Sequence, residues 1–300
     1  MPRPLTSRAA RIALVVVGVA AAATLSACGG SKSTASGKPT IVASTDVWGS
    51  VATAIAGPDA QVTSIITSPT DDPHSYQTTP IDAAHIQDAS LVIYNGGDYD
   101  EFASKAAAGR DKPTIDAFAL RPADVANDDN EHVWYDMDTV HAVASKIADD
   151  LGSIDKAHAQ GYTDRAIRFE SKLKDITTIT DQIADNHPGA PVLQTEPLAH
   201  YLLLAAEADD RTPHSFEEAI EQGTDPAPAD LATVREMLSA KKVRALVYNI
   251  QTEDKTTQSV AAAAKAAGVP VVDVTETLPQ GADYLTWQIR NAKALAAALS

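Results

Sequence analysis

The chain of 300 residues holds a single cysteine, which excludes an internal disulfide and any Cys-x-x-Cys metal or redox motif. Aromatic residues make up only 5% of it. Basic residues are also scarce: 24 lysines and arginines stand against 40 aspartates and glutamates, a formal charge of −16 at pH 7. A surface that acidic repels a phosphate backbone, so nucleic acid is excluded as a partner, while cations are attracted. There is no His-Glu-x-x-His, and the Gly-rich turn Asn95-Gly96-Gly97-Asp98-Tyr99 lacks the Gly-Lys-Ser/Thr of a phosphate loop. The apolar stretch from Ile12 to Ala23 is too short for a comfortable membrane span. The remaining composition, 44% hydrophobic and 21% charged, suits a soluble globular protein long enough for one large domain or two lobes.

Arg3, Arg8 and Arg11 precede that apolar stretch, and Leu25-Ser26-Ala27-Cys28 follows it. This is the order of an export signal, and its end matches the lipobox of bacterial lipoproteins, where cleavage precedes an acylated cysteine. An ordinary signal peptide with an incidental cysteine is the alternative. Residues 1–27 are therefore expected to be a lipoprotein signal peptide, and residues 28–38, rich in Gly and Ser, a flexible tether. Acylation at Cys28 would hold the protein on the extracytoplasmic face of the membrane without spanning it.

From Pro39 onward short β-rich runs alternate with helical stretches, which predicts an α/β fold of mostly parallel sheets flanked by helices. Strands are expected at Thr40–Ser44, Gln61–Ile66 and Leu91–Tyr94, with helices at Val47–Ala56 and Ile81–Asp88. The pattern returns with strands at Val192–Thr195, Val243–Tyr248 and Val269–Val274, and helices at Leu198–Ala206, Leu231–Ala240, Thr256–Ala267 and Tyr284–Leu299. Between the halves, Tyr162, Ile167, Phe169, Leu173, Ile176, Ile179 and Ile183 recur at roughly helical spacing until Asn186-His187-Pro188-Gly189. One long helix over residues 161–187 would join an N-terminal lobe, 39–160, to a C-terminal lobe, 188–300; a core helix of a single domain is the other reading.

Four segments fall where strands or loops should end: Thr70–Tyr76, Asn130–Asp136 at the end of a polar loop, Thr195-Glu196-Pro197 and Thr275–Pro279. In open α/β sheets ligands bind beyond the carboxyl ends of strands. His74, His132, Glu196 and Glu276 would form a mixed nitrogen and oxygen set suited to Zn²⁺, Mn²⁺ or Fe²⁺. Taken singly, a loop histidine is more often solvated than a ligand, and a glutamate more often a surface charge or helix cap. The apolar strands before Glu196 and Glu276 argue otherwise, since a carboxylate at a core strand end needs a cation or donors. Tyr76 and Trp134 adjoin the histidines and are candidates to shield a metal, or are core residues. His200, four residues beyond Glu196, either supports it from behind or lies at the surface. His214 is an outside candidate for the cleft, whereas His85, His141, His158 and His187 have no partner signal.

Asp72-Pro73-His74-Ser75-Tyr76, Glu131-His132-Val133-Trp134-Tyr135-Asp136 and Thr195-Glu196-Pro197-Leu198-Ala199-His200-Tyr201 resemble successive ligand segments of the zinc/manganese ABC-transporter solute-binding lipoproteins. The resemblance spans nearly the whole chain after the signal. It implies two lobes on a rigid linking helix, a metal in the interlobe cleft, and a binding protein with no enzymatic activity. Its expected partners are an ABC permease and ATPase, and the protein itself is expected to be a monomer. The family's first two ligand histidines match His74 and His132, its third ligand matches Glu196, and its fourth, usually an aspartate, matches Glu276. Two features depart from the pattern. Asn249 stands where an acidic residue often follows the strand, and Asn127–Glu131 replaces the His-rich loop of zinc-type members. Zn²⁺ and Mn²⁺ therefore both remain open as cargo. The rival functions are a secreted metal-dependent hydrolase and a surface adhesin with an incidental metal site.

Overall fold

The computed structural model describes residues 37–123, 125 and 128–300; the expected signal peptide, Cys28 and most of the tether lie outside them. The N-terminal half runs β1 (Thr40–Thr45), α1 (Asp46–Ala56), β2 (Gln61–Ile66), α2 (Pro80–Asp88), β3 (Leu91–Tyr94), α3 (Glu101–Ala107), β4 (Thr114–Asp116) and α4 (Met137–Ile154). Next come α5 (Ala159–Asn186), β5 (Pro191–Gln194), α6 (His200–Ala205), β6 (Asp209–Asp210) and α7 (His214–Glu221). The chain ends with α8 (Pro228–Ser239), β7 (Ala245–Asn249), α9 (Lys255–Ala267), β8 (Val271–Val274) and α10 (Tyr284–Leu299). Among the described residues no helix is long and apolar enough to cross a membrane.

Local chemistry explains many of these boundaries. Thr79 and Asp82 form a reciprocal capping box at α2 with Pro80 in the first turn, and Asp254 with Thr257 does the same for α9. Gly268 then closes α9 in the left-handed conformation. In β1 the run Ile41 to Thr45 is buried without alternation, as expected for a parallel strand covered on both faces.

The strands make two parallel four-stranded sheets, ordered β2-β1-β3-β4 and β6-β5-β7-β8. The two orders are the same, so the C-terminal sheet repeats the topology of the first. Each order reverses direction beside its first strand, and a loop crevice forms at the carboxyl ends there. A single apolar core crosses between the sheets, joining Ile41 and Ile93 with Val192, Val247 and Val272. The two halves thus share an interior, and any lobe movement must preserve that packing.

Helix α5 occupies the stretch expected to link the lobes and packs against α4, α1, α10 and α6. Its buried face is Tyr162, Ala166, Phe169, Leu173, Ile176, Thr180 and Ile183, a spacing that alternates three and four. Ile167 falls outside that stripe and is 57% exposed, contrary to the sequence expectation, because it lies one position past the inward residue Ala166. Ile176→Ala should therefore cost about 2–5 kcal/mol of stability, and Ile167→Ala less than about 0.5 kcal/mol. Urea unfolding of both variants checks this, and equal losses would refute the assigned face.

The structure also contains elements absent from the sequence reading. Helix α4 carries Val140, Val143, Ala144, Ile147 and Leu151 inward at helical spacing, capped by Asp136. Helix α3 and strands β4 and β6 are short, with too few residues to show a period. The expected helix over Leu198–Ala206 divides into a 3-10 turn at Pro197–Ala199 and α6.

Candidate metal centre

Loops leaving the carboxyl ends of six strands supply the site. His74 follows β2, Tyr99 follows β3, and Glu131 and His132 follow β4. From the other sheet, Glu196 follows β5, Asn249 ends β7, and Glu276 follows β8. His74, His132, Glu196 and Glu276 all line one cavity of about 740 Å³. Eight carboxylates and two imidazoles line it, with no lysine or arginine among the described lining residues. Such a surplus of negative charge in a concave site is a field for a cation.

The two histidines are held differently. His132 is 3% exposed. The Asn130 side-chain amide donates to the Pro197 carbonyl at 2.8 Å, which turns its oxygen toward His132. That oxygen accepts from the His132 backbone N–H at 2.9 Å and faces Nδ1 at 3.2 Å. Nδ1 therefore carries the proton, and Nε2 presents a bare lone pair, the arrangement a metal requires. Burial, and then the positive charges of His74 and His200, push the His132 pKa down to about 3, so the ring stays neutral.

His74 sits at the cavity rim between two carboxylates, with Nδ1 3.0 Å from Asp72 and Nε2 2.5 Å from Glu131. Burial alone would lower its pKa, but the hydrogen bonds to Asp72 and Glu131 and the charges of Glu131 and Glu276 outweigh it and push it up to about 10. When protonated, the ring donates to a carboxylate from each nitrogen.

Glu196 and Glu276 are drawn together by one amide. Asn249 Nδ2 donates to Glu196 at 2.6 Å and to Glu276 at 2.9 Å. Its own oxygen accepts from the Gln251 backbone N–H at 3.0 Å, which fixes the orientation. Tyr99 donates to the other oxygen of Glu276 at 3.2 Å. The second oxygen of Glu196, a residue 4% exposed, meets no partner at full hydrogen-bond geometry among the described residues, although the Thr252 hydroxyl stands close enough to Glu196 to lower its pKa. An unsatisfied buried carboxylate oxygen is costly. Burial pushes the Glu196 pKa up to about 7, moderated by Thr252 and Asn249, and burial likewise raises that of Glu276.

The few aromatics concentrate behind these groups. The His74 ring meets Tyr99 edge-on at 4.9 Å, Tyr99 packs on Trp134 at 4.6 Å, and Trp134 meets the His132 ring at 5.1 Å. The stack continues through Tyr135 and Trp287 to Tyr284, which contacts Phe169 on the long helix. Tyr99 is delivered by the Gly-rich turn, where Gly96 and Gly97 have φ of 78° and 66° and a Cβ on either would strike Asp116 or Phe118.

The profile of a family described as "Zinc-uptake complex component A periplasmic" (ZnuA) matches residues 41–298. This chain belongs to that family. The "Metal ABC transporter substrate-binding lipoprotein ScbA" of Streptococcus cristatus is 23% identical over 92% of this chain and 94% of its own. The "Manganese-binding lipoprotein MntA" of Halalkalibacterium halodurans is 30% identical over 48% of each chain, so that match spans about half of both proteins. In fold, the periplasmic zinc-binding protein TroA of Treponema pallidum superposes with a TM-score of 0.73 at 17% identity, over 88% of this chain and all of its own. A manganese-bound periplasmic protein of Candidatus Liberibacter asiaticus gives 0.72 at 20% identity, with the same coverage. These structural matches establish the two-sheet architecture described above.

Trp134 touches His132, but Tyr76 turns away from the cavity onto Phe102 at 4.7 Å and donates to Asp82 at 3.1 Å. His200 does not support Glu196; its Nε2 lies 2.6 Å from Asp128. His214 is outside the cavity, 84% exposed at the start of α7. His85, His141, His158 and His187 do not line the cavity either. Sequence reasoning missed Glu131, Tyr99, Asn249 and Glu221 as members of the site. Glu131 directly precedes a proposed ligand, and Asn249 was noted only as a departure. Glu221 had no local signal, since it ends a helix otherwise ordinary in sequence.

Proposed function

We propose that His74, His132, Glu196 and Glu276 hold a divalent transition metal, Zn²⁺ or Mn²⁺, between the two sheets. The chain is the solute-binding component of a metal ABC importer, and the metal is its cargo. The observation that carries the reading is the convergence on one cavity of two imidazoles and two carboxylates from loops distant in sequence. The bare Nε2 of His132 is a donor already prepared for a metal. Ligands from both sheets make the ion a cross-link, so its binding energy favours the conformation in which the loops close together. The shared core and α5 limit that closure to small displacements of loops and helices.

The lipobox reading adds acylation at Cys28, a tether through residue 38, and delivery to a permease and its ATPase at the outer face of the membrane. No catalytic step is assigned to the site. Deleting the gene should impair growth under chelation of Zn²⁺ or Mn²⁺, and excess of the cargo metal should restore it. Normal growth of the deletion strain under chelation, with no loss of metal uptake, would refute the transport assignment.

A further inference from the structure

Helix α7 brings a carboxylate into the cavity that neither the four-ligand set nor helix stability explains. Phe216 and Ile220 anchor α7 in the apolar core of the second sheet. Gly223, with φ of 66°, terminates the helix and leaves Glu221 at its carboxyl end, lining the cavity. A negative charge there opposes the helix dipole. It also faces Glu131, Glu196 and Glu276, and those charges add to burial in raising its pKa. Glu221 Oε1 lies 3.6 Å from His132 Nε2, too long for a hydrogen bond. Ligand atoms of Glu131, His132 and Glu221 all fall within 4.8 Å of one another.

The 3.6 Å between Glu221 Oε1 and His132 Nε2 fits two donors to one ion. Atoms bound at about 2.1 Å to one cation stand about 3.0–3.6 Å apart at neighbouring corners and about 4.2 Å apart across an octahedron. One independent feature points into the same space: the bare Nε2 of the buried His132, 3.6 Å from Glu221. Zn²⁺ is satisfied by four ligands, whereas Mn²⁺ takes six and favours oxygen.

We propose that Glu221 is an additional ligand from α7 that raises the coordination number above four and biases this chain toward a six-coordinate, oxygen-preferring cation such as Mn²⁺. The proposal rests on the metal-binding reading above. It concerns the ratio of affinities, because Zn²⁺ still binds nitrogen and oxygen sites more tightly than Mn²⁺ in absolute terms.

The test compares the parent protein with E221Q, an isosteric change that removes like-charge repulsion and should leave the metal-free thermal midpoint equal or higher. Competition titrations with Mn²⁺ and Zn²⁺ should show Mn²⁺ affinity falling about 10–100-fold, as for loss of a supporting metal contact, with a clearly smaller fall for Zn²⁺. Co²⁺ gives a second readout: a weak visible absorption in the parent, typical of six-coordination, and a stronger one in E221Q. Equal losses for the two metals, no loss for either, or an intense four-coordinate Co²⁺ spectrum in the parent would each overturn the proposal while leaving metal binding intact. A parent that binds none of these ions would instead overturn the reading on which it depends.

Discussion

Replacing His132 by alanine is expected to weaken metal binding by about 10²–10³-fold, since structural zinc sites gain about 10–16 kcal/mol from roughly four ligands. The reason lies in how His132 is prepared. Its Nδ1 proton is committed to Asn130, its Nε2 is free, and burial keeps the ring unprotonated. The ring therefore binds without first losing a proton. Because a buried imidazole also packs on Trp134, the change leaves a void, so H74A provides the parallel case. His74 is at the rim with a side chain 35% exposed, and its removal should leave the fold intact. Both variants, titrated against a chromophoric chelator and analysed for metal after purification without added metal, should lose binding. Parent-like affinity in both would end the four-ligand assignment.

Lowering the pH from 9 to 7 should stabilise the metal-free protein, and adding metal should stabilise it more. Glu196 at about 7, Glu221 at about 8 and His74 at about 10 all lie above their ordinary values of 4.5 and 6.5. The folded state therefore holds more protons than the unfolded chain across this window. Stability from a raised group is complete below its unfolded value and is lost as pH climbs through its folded one, so every one of these terms strengthens on going from 9 to 7. His132, pushed down to about 3, acts in the opposite sense, but only once pH falls below about 6.5. After allowance for screening at the exposed rim, the gain is about 1–2 kcal/mol, or about 2–8 °C in thermal midpoint. A cation replaces those protons. At a thousand times its Kd it adds about 4 kcal/mol, or about 8–16 °C, reversed by a chelator. Thermal melts with and without metal at the two pH values measure both effects. A metal-free midpoint that rises with pH between 7 and 9 would contradict the carboxylate cluster, and a midpoint indifferent to metal would contradict the site.

Much of the fold was legible because its signals are local. Thr79-Pro80 announces α2, and unbroken apolar runs announce β1 and β3 as buried parallel strands. In α5 the stripe was read with one error, Ile167, because roughly helical spacing does not separate adjacent positions on a cylinder. Of the candidate site, the four principal residues could be picked out from strand ends and from the resemblance of their motifs. Tyr76 and His200 were placed near the site by sequence proximity, yet side chains two or four residues from a ligand in an irregular loop or helix start need not share its direction.

The sequence by itself determined the α/β alternation, the acidic charge that favours cations, two glutamates following apolar strands and two histidines in loop segments. These depend on residue type and short spacing. The tertiary structure alone decided that the second sheet repeats the strand order of the first and that one core runs through both halves. It also decided that Asn249 bridges Glu196 and Glu276 and that Glu221, from the end of α7, faces His132. Those relations join residues tens of positions apart, and only the packing of helices on two sheets sets which strand ends meet across the cavity.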